Sequence, residues 1–74
     1  MIDWIEVHDS DRVTAVAYDA DQERILVRFK RDGTEWQYVG CPPMIWEEFM
    51  ARTTSKGQYI RNQLDHHAHG PLLL

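Results

Sequence analysis

The sequence of 74 residues contains one cysteine, three prolines and four glycines, and it has no long hydrophobic run. A single cysteine, Cys41, cannot form a disulfide within the chain, so a domain this small must rely on packing or on self-association. No apolar stretch approaches the roughly 20 residues that a helix needs to cross a membrane. These absences argue against a disulfide-stabilised scaffold, and we expect a soluble protein with no membrane partner.

The N-terminal stretch MIDWIEVHDSD carries acids where a secretory signal would have a basic end and a long apolar centre. We therefore predict no targeting segment and a cytoplasmic location. A chain this short buries only roughly 60% of its unfolded surface, which leaves room for one core. We predict a single domain over residues 1–66, followed by a polar C-terminal tail over residues 67–74.

Basic residues are fewer than acidic ones, with 8 against 12, and the formal net charge is −4. The bases are nevertheless grouped: Arg12 is the only base up to residue 23, whereas residues 24–31 hold four bases and no acid. Residues 49–64 hold three more bases and no acid. A fold that brings these two groups together would create one positive face on an acidic protein. In the alternative interpretation, the charges simply alternate around a solvated surface.

Two segments near the N-terminus alternate as β-strands do. In RVTAVAYD, residues 12–19, strict alternation places Val13 and Val16 on opposite faces. In RILVRFK, residues 24–30, the apolar Ile25, Val27 and Phe29 share one face. The other face of this second strand carries the bases Arg24, Arg28 and Lys30.

A tight turn and a third strand follow. The segment RDG predicts a hairpin turn, because Gly33 tolerates a positive φ without steric cost. In TEWQYVG, residues 34–40, the side chains of Trp36 and Tyr38 project to the same side. Residues 2–10 also alternate and could add a short leading strand.

Helical patterns begin after the sheet. Pro42 and Pro43 mark the change, because proline cannot donate to a strand ladder but is accepted in the first turn of a helix. PMIWEEFMART, residues 43–53, has an apolar stripe at i,i+4 spacing that predicts a core-facing helix. A second helix is predicted from about Lys56 to His66, with Ser55 among its candidate N-caps. The fold class is therefore α+β: a small antiparallel meander of three to four strands with two C-terminal helices packed on one face.

The order of the motifs resembles the KTSC domain family. The chain carries VHDS, AVAYD, ILVRF, a glycine turn, WQY, a proline and, after one helix, SKGQY. The most specific pieces are Trp36-Gln37-Tyr38 and Ser55-Lys56-Gly57-x-Tyr59, and the resemblance extends over roughly residues 5–64. KTSC domains are short modules found alone in bacterial and phage proteins and at the C-terminus of some lysyl-tRNA synthetases. The resemblance implies a non-catalytic module, and RNA binding has been suggested for the family.

The chain departs from the family pattern at several positions. Trp36 stands where tyrosine is usual, and Cys41-Pro42, followed by Pro43, stands where the family has Val-Pro. Asp65 occupies a place where the family tends to have arginine. The loss of a base there weakens any phosphate contact carried over from the family, and Arg61, one turn earlier, is the candidate replacement.

The stretch TTSKGQ is a candidate anion site. Unpaired amides at a helix start carry roughly half a positive charge, so Ser55, Lys56 and an unobstructed Gly57 could hold a phosphate. In the alternative, Ser55 is a plain N-cap, Lys56 is solvated, and Gly57 is required by conformation or packing. The motif is not a phosphate-binding P-loop, because the flanking glycines and the order Gly-Lys-Ser/Thr are absent.

The aromatic pair of the third strand has two interpretations. Trp36 and Tyr38 could stack unpaired bases on an exposed sheet face, as single-strand binders do. The same spacing also suits packing beneath the helices. The cationic residues that would contact phosphate in the first interpretation are Arg24, Arg28, Lys30, Arg52, Lys56 and Arg61.

No catalytic or metal centre is predicted. Cys41 is expected to fill space at a strand end, and a catalytic thiol would need a histidine brought close by the fold. His66, His67 and His69 do not form a closed ligand set, because adjacent helical side chains diverge, so we expect a frayed polar tail and no metal or cofactor.

Two functional classes remain open from the sequence. The first is a module that binds RNA or single-stranded DNA through a basic face and the anion site. The second is a protein-interaction module, bacterial or phage-encoded, whose partner is another protein or a second copy of the chain. The net acidity favours the second class, and the local grouping of bases favours the first.

Overall fold

A computed structural model of the chain describes residues 2–72. It contains a five-stranded antiparallel sheet, two α-helices and a short 3₁₀ turn. The strands are β1 (Ile5–Glu6), β2 (Val13–Asp19), β3 (Arg24–Phe29), β4 (Glu35–Tyr38) and β5 (His69–Pro71). The helices are α1 (Pro43–Met50) and α2 (Lys56–Asn62), and the 3₁₀ turn (Leu64–His66) follows α2. Within residues 2–72 no helix is long and apolar enough to cross a membrane.

The α+β class is confirmed, and four strands precede the helices, but the sheet is larger than predicted and its fifth strand follows the helices. The leading segment forms the short strand β1, which pairs with β2. Residues 69–71 of the predicted tail are not frayed but form β5, which pairs antiparallel with β4 through Tyr38 and His69 and through Trp36 and Pro71. Residues 73 and 74 of that predicted tail lie outside the described residues. The strand order is therefore β1-β2-β3-β4-β5, and β5 reaches its place only after the chain has passed through both helices.

The turn between β3 and β4 forms as predicted. Gly33 has φ +72°, and its amide donates a hydrogen bond of 2.9 Å to the carbonyl of Phe29. A side chain with a Cβ is strained in this left-handed region, so glycine is the natural residue here. The turn places the end of β3 close to the start of β4.

A β-bulge changes which face the residues of β2 occupy. The pairing of β2 with β3 shifts register between Val13 and Ala15. An extra residue in one strand reverses the alternation of side chains beyond it. Val13 and Val16 consequently both belong to the buried core cluster, although strict alternation predicts opposite faces.

The helices cover one face of the sheet. Phe49 of α1, Ile60 of α2 and Leu64 of the 3₁₀ turn are fully or almost fully buried against Ile25 and Val27 of β3. The second helix ends at Asn62 rather than at His66, and the tighter turn that follows holds Leu64 in the core. Complete burial of such a side chain contributes about 1.5–3 kcal/mol, so these contacts fix the helical layer on this face.

The opposite face of the sheet carries long polar side chains. Arg28 of β3 bonds to Glu35 of β4 at 2.9 Å, and its guanidinium lies 4.5 Å from the centre of the Trp4 ring. Arg24 bonds to Asp19 at 2.9 Å and to Gln37 at 2.8 Å. These contacts form a polar layer across neighbouring strands.

Candidate nucleic-acid interface

A groove lies on the helical face of the sheet. It forms where the end of β3, strands β4 and β5, the residues before β2 and the 3₁₀ turn meet, and its volume is about 620 Å³. Ligand pockets commonly measure about 300–1,000 Å³, so the groove has room for a nucleotide-sized group. Its lining residues are Asp11, Arg12, Phe29, Lys30, Arg31, Asp32, Thr34, Trp36, Tyr38, Asp65 and His69.

Aromatic side chains form much of the groove wall. Trp36 is partly buried and packs against the core, so one part of its ring system supports the fold and another part faces the groove. The His69 ring lies 6.2 Å from the Trp36 ring and 5.3 Å from the Tyr38 ring, centre to centre. The predicted shared face of Trp36 and Tyr38 is confirmed, and β5 extends that face with a third ring.

Tyr38 does not belong to an exposed aromatic platform. Its residue is only 2% exposed, and burial, with a smaller contribution from the nearby Asp65 carboxylate, raises the pKa of Tyr38 to about 12. Its ring is therefore part of the core, and only Trp36 of the predicted pair is partly exposed and available for stacking. The Tyr38 side chain still reaches the groove lining.

Three cations line the groove: Arg12, Lys30 and Arg31. The amide of Lys30 donates a hydrogen bond of 2.8 Å to the carbonyl of Arg12, which holds the start of β2 beside the end of β3. Lys30 is therefore one predicted base that lines the same groove as Trp36. Arg12 and Arg31 were not among the sequence candidates. The sequence feature that could have identified Arg12 is its position as the only base in the acidic N-terminal third of the chain.

Three carboxylates share the groove with these cations, so its formal charge is balanced. Asp32 accepts hydrogen bonds from the amide and hydroxyl of Thr34 at 3.1 and 2.8 Å, and these bonds lower the pKa of Asp32. This carboxylate therefore serves the β3–β4 turn. Asp11 and Asp65 form no salt bridge with another residue in the range 2–72. They are available to a ligand.

The predicted start of the second helix is correct. Ser55 is the N-cap of α2, and its hydroxyl accepts a hydrogen bond of 3.5 Å from the amide of Gln58. Lys56 is partly buried, and its ammonium group lies 5.5 Å from the centre of the Phe49 ring. The cation of Lys56 is therefore engaged by an aromatic face rather than fully solvated.

The open space expected at Gly57 is filled by the side chain of Arg12. A Cβ atom built at Gly57 would lie 3.0 Å from Cδ and 3.6 Å from Cγ of Arg12, and the backbone of Gly57 is not in the left-handed region. The Arg12 guanidinium also approaches the Gly57 carbonyl at 3.4 Å. Close packing by Arg12 therefore explains the glycine, and the same arginine connects the start of α2 with the groove.

The remaining predicted bases do not join the groove. Arg28 lies on the opposite face of the sheet and is paired with Glu35, so the basic outer face predicted for β3 is largely neutralised. Arg52, in the link between the helices, and Arg61, in the last turn of α2, are exposed but do not line the groove. The first group of bases is thus divided between two faces, and one continuous positive face does not form.

Cys41 fills space at the end of the sheet, as predicted. It is fully buried, and burial raises the pKa of its thiol. The fold brings Nδ1 of His67 within 3.8 Å of the sulfur, but the same nitrogen lies 3.2 Å from the carbonyl of Val39. A nitrogen that donates its proton to a carbonyl cannot also accept the thiol proton. Between residues 2 and 72, no three His, Cys, Asp or Glu side chains are placed to hold a metal ion.

A comparison with models of known protein families gives one match. A model of the KTSC domain matches residues 9–67. The crystal structure of a KTSC domain protein from Yersinia pestis is similar, with a TM-score of 0.85 over 99% of this chain and 100% of that chain. The two sequences are 23% identical, so this likeness shows the fold alone. No curated protein matches the chain.

Proposed function

We propose that this chain, which belongs to the KTSC domain family, is a non-catalytic module that binds RNA or single-stranded DNA in the groove. The observation that carries the proposal is that the partly exposed Trp36 and three cations line one groove of about 620 Å³. Aromatic faces and cations in one groove are the two elements that single-strand binding requires. The fold supports the proposal by placing Trp36 on β4 and the cations next to the start of β2 and the end of β3.

Trp36 supplies the stacking surface. Its inner part packs on the core, so the ring has little freedom to lose when a base stacks on it. Stacking on such a ring contributes roughly 1–3 kcal/mol per base and tolerates any base. Trp4 offers no equivalent surface, because the Arg28 guanidinium already lies over its ring.

Lys30, Arg31 and Arg12 supply the phosphate contacts. Lys30 and Arg31 are exposed and form no salt bridge with any residue from 2 to 72, whereas Arg24 and Arg28 are paired. Three phosphate contacts to a single strand predict a slope of about −2 for log affinity against log salt, because each contact contributes about −0.7. The modest slope fits a groove whose cations are balanced by carboxylates.

In this proposal the start of α2 is an additional, weaker phosphate contact that is not counted in the slope of about −2. Ser55, Lys56 and Gly57 adjoin the groove through Arg12, and the first amides of α2 favour a negative group. Lys56 would have to leave the Phe49 ring to reach a phosphate, so we assign it a smaller contribution than Lys30. Arg52 and Arg61 are exposed and would act only through long-range attraction.

Fluorescence anisotropy with labelled RNA and single-stranded DNA octamers, measured at several salt concentrations, tests the proposal. We expect Lys30→Gln to lower the salt slope by about 0.7, the contribution of one phosphate contact. We expect Trp36→Leu to weaken binding by about tenfold, within the range for one lost base stack. Binding that is absent at low salt, or unchanged in both variants, would overturn the proposal.

Matched variants separate the groove from the rest of the surface. Trp4→Leu removes a partly buried tryptophan from outside the groove and should leave affinity unchanged. Lys56→Gln and Arg52→Gln each remove one charge outside the groove lining, so their effects compare the helix start and the helix link with Lys30. Equal losses of affinity for Lys30→Gln, Lys56→Gln and Arg52→Gln would indicate general electrostatic attraction rather than a defined site.

Protein interaction is the second candidate function. It is favoured by Met44, which is 69% exposed in the first turn of α1 next to the exposed Pro42 and Pro43. Ile5, on the edge strand β1, is 44% exposed. Sedimentation over a range of concentrations tests self-association, and Met44→Ser should weaken any dimer that uses this surface.

A further inference from the structure

We propose that the groove binds one unpaired base by its Watson–Crick edge, with the Tyr38 hydroxyl donating to that edge and the Asp65 carboxylate accepting from it. This inference rests on the proposed function and names the part of the nucleotide that the groove reads. It assigns the two residues a specificity role that stacking on Trp36 cannot supply.

Within residues 2–72 the Tyr38 hydroxyl has no hydrogen-bond partner. The hydroxyls of Tyr18 and Tyr59 bond to the Cys41 carbonyl and to Glu48, whereas Tyr38, only 2% exposed, makes no such bond. No fully buried side-chain polar atom in that range is unpaired, so the hydroxyl must retain contact with solvent. Tyr38 lines the groove, and we infer that its hydroxyl opens into it. A polar group held rigidly at the base of a groove is suited to hydrogen bond with a ligand.

The hydroxyl is a donor under ordinary conditions. Burial and the neighbouring Asp65 carboxylate raise the pKa of Tyr38 to about 12, so the phenol keeps its proton at neutral pH. The positive charge of Arg12 lowers the pKa of Tyr38, but this effect is smaller than that of burial and of Asp65. A protonated phenol donates one hydrogen bond at this position.

Asp65 supplies the complementary acceptor. It is exposed on the 3₁₀ turn, lines the groove, and forms no salt bridge within residues 2–72. An ionised carboxylate only accepts hydrogen bonds, so it fits an N–H group of the ligand and repels a phosphate. This explains why an acid stands in a groove that also holds three cations: the cations meet the backbone and Asp65 meets the base.

A donor beside an acceptor matches the Watson–Crick edge of an unpaired base. Uracil, for example, presents the N3–H donor between two carbonyl acceptors on that edge. In a duplex these groups are occupied by the opposite base, so the groove should reject paired strands. Stacking alone would not distinguish a free edge from a blocked one, because every base has the same kind of aromatic face.

Methylated oligonucleotides test the inference directly. The probes are a labelled uridine RNA octamer, its 3-methyluridine counterpart, which lacks the N3–H donor, and its 5-methyluridine counterpart, which keeps the whole edge. Anisotropy should show about tenfold weaker binding of the 3-methyl octamer, the loss expected for a hydrogen bond to a charged group. The 5-methyl octamer should bind as well as the unmodified one.

Variants assign the effect to the two residues. Tyr38→Phe removes only the hydroxyl, and Asp65→Asn changes an exposed side chain; thermal unfolding shows whether each protein is folded. Asp65→Asn should reduce the difference in affinity between the unmodified and 3-methyl octamers to about threefold or less. Tyr38→Phe should weaken binding of the unmodified octamer. Asp11→Asn removes another groove carboxylate and should raise the affinity for all octamers equally, so it serves as the charge control.

The outcomes separate the two proposals. If no octamer binds to the wild-type protein, the proposed function fails, and this inference fails with it. If the uridine octamer binds but the 3-methyl octamer binds equally well, the edge-reading inference is overturned while the proposed function stands. If the 3-methyl penalty is present but unaltered by Tyr38→Phe and Asp65→Asn, the assignment to these residues is wrong.

Discussion

Gly57 and Arg12 should be energetically coupled, and a double-mutant cycle measures this. Gly57 lies in the first turn of α2 with an ordinary helical backbone, so alanine should stabilise the helix there by less than the roughly 1 kcal/mol gained in a helix interior. The new Cβ would, however, lie only 3.0 Å from Cδ of Arg12. The arginine stem must shift before the alanine can be accommodated.

The size of the opposing effect follows from the exposure of Arg12. Overpacking in a tight core destabilises a fold by about 1–3 kcal/mol. Arg12 is exposed and flexible, so displacing its side chain should cost no more than about 1 kcal/mol. The bond from Arg12 to the Gly57 carbonyl is long at 3.4 Å, so its loss contributes little. In the wild-type background Gly57→Ala should therefore change the free energy of unfolding by less than about 0.5 kcal/mol, because the two effects offset each other.

The informative comparison is Gly57→Ala in an Arg12→Ala background. With the arginine stem absent, alanine at position 57 should stabilise the fold by about 0.5 kcal/mol or more. Urea unfolding of the four proteins, followed by circular dichroism, gives the coupling energy, which we expect to be about 0.5–1 kcal/mol. A coupling below about 0.3 kcal/mol is ordinary additivity and would refute the packing explanation for Gly57.

Three further predictions concern the core and its ionisable groups. Phe49→Ala should destabilise the fold by about 3–5 kcal/mol in urea unfolding, because the ring is fully buried, whereas Phe49→Leu should cost under about 1.5 kcal/mol. Burial raises the pKa of Tyr38, and burial with Glu48 raises that of Tyr59, each from 10.0 to about 12. The unfolded chain therefore releases these protons first, so stability present below pH 10 should be lost between pH 10 and 12, with a smaller loss in Tyr38→Phe. The hydrogen bond from Arg24 lowers the pKa of Asp19 below 3.8, and a carboxyl titration by NMR should show this pKa rising in Arg24→Gln; no rise would contradict the ion pair.

The sequence identifies those parts of the fold whose signals are local. Alternation in residues 24–30 and 34–40, a glycine turn and the pair Pro42-Pro43 predict β3, β4 and α1, because strand and helix periods and proline chemistry act over a few residues. Ser55 is a correct N-cap for the same reason. The motif order also predicts the family that the comparison confirms over residues 9–67.

Pairings between distant residues are where sequence reasoning fails. One extra residue at the bulge between Val13 and Ala15 reverses the predicted alternation of side chains between the two faces of β2. No local sequence pattern predicts this bulge. Residues 69–71 have a weak strand pattern and become β5 only because the edge of β4 is available to them. The sequence suggests that Arg28 is an unpaired cation, but in the fold it forms a salt bridge with Glu35 on the neighbouring strand.

The candidate groove depends most on tertiary structure. The sequence by itself identifies the aromatic pair, the bases and the polar helix start, because residue types and their spacing can be read directly from it. Only the folded chain buries Tyr38 while leaving Trp36 partly exposed, and only it places Arg12 against Gly57, 45 residues away. The physical reason is that exposure, pairing and groove shape are set by long-range packing, which the local pattern of side chains does not encode.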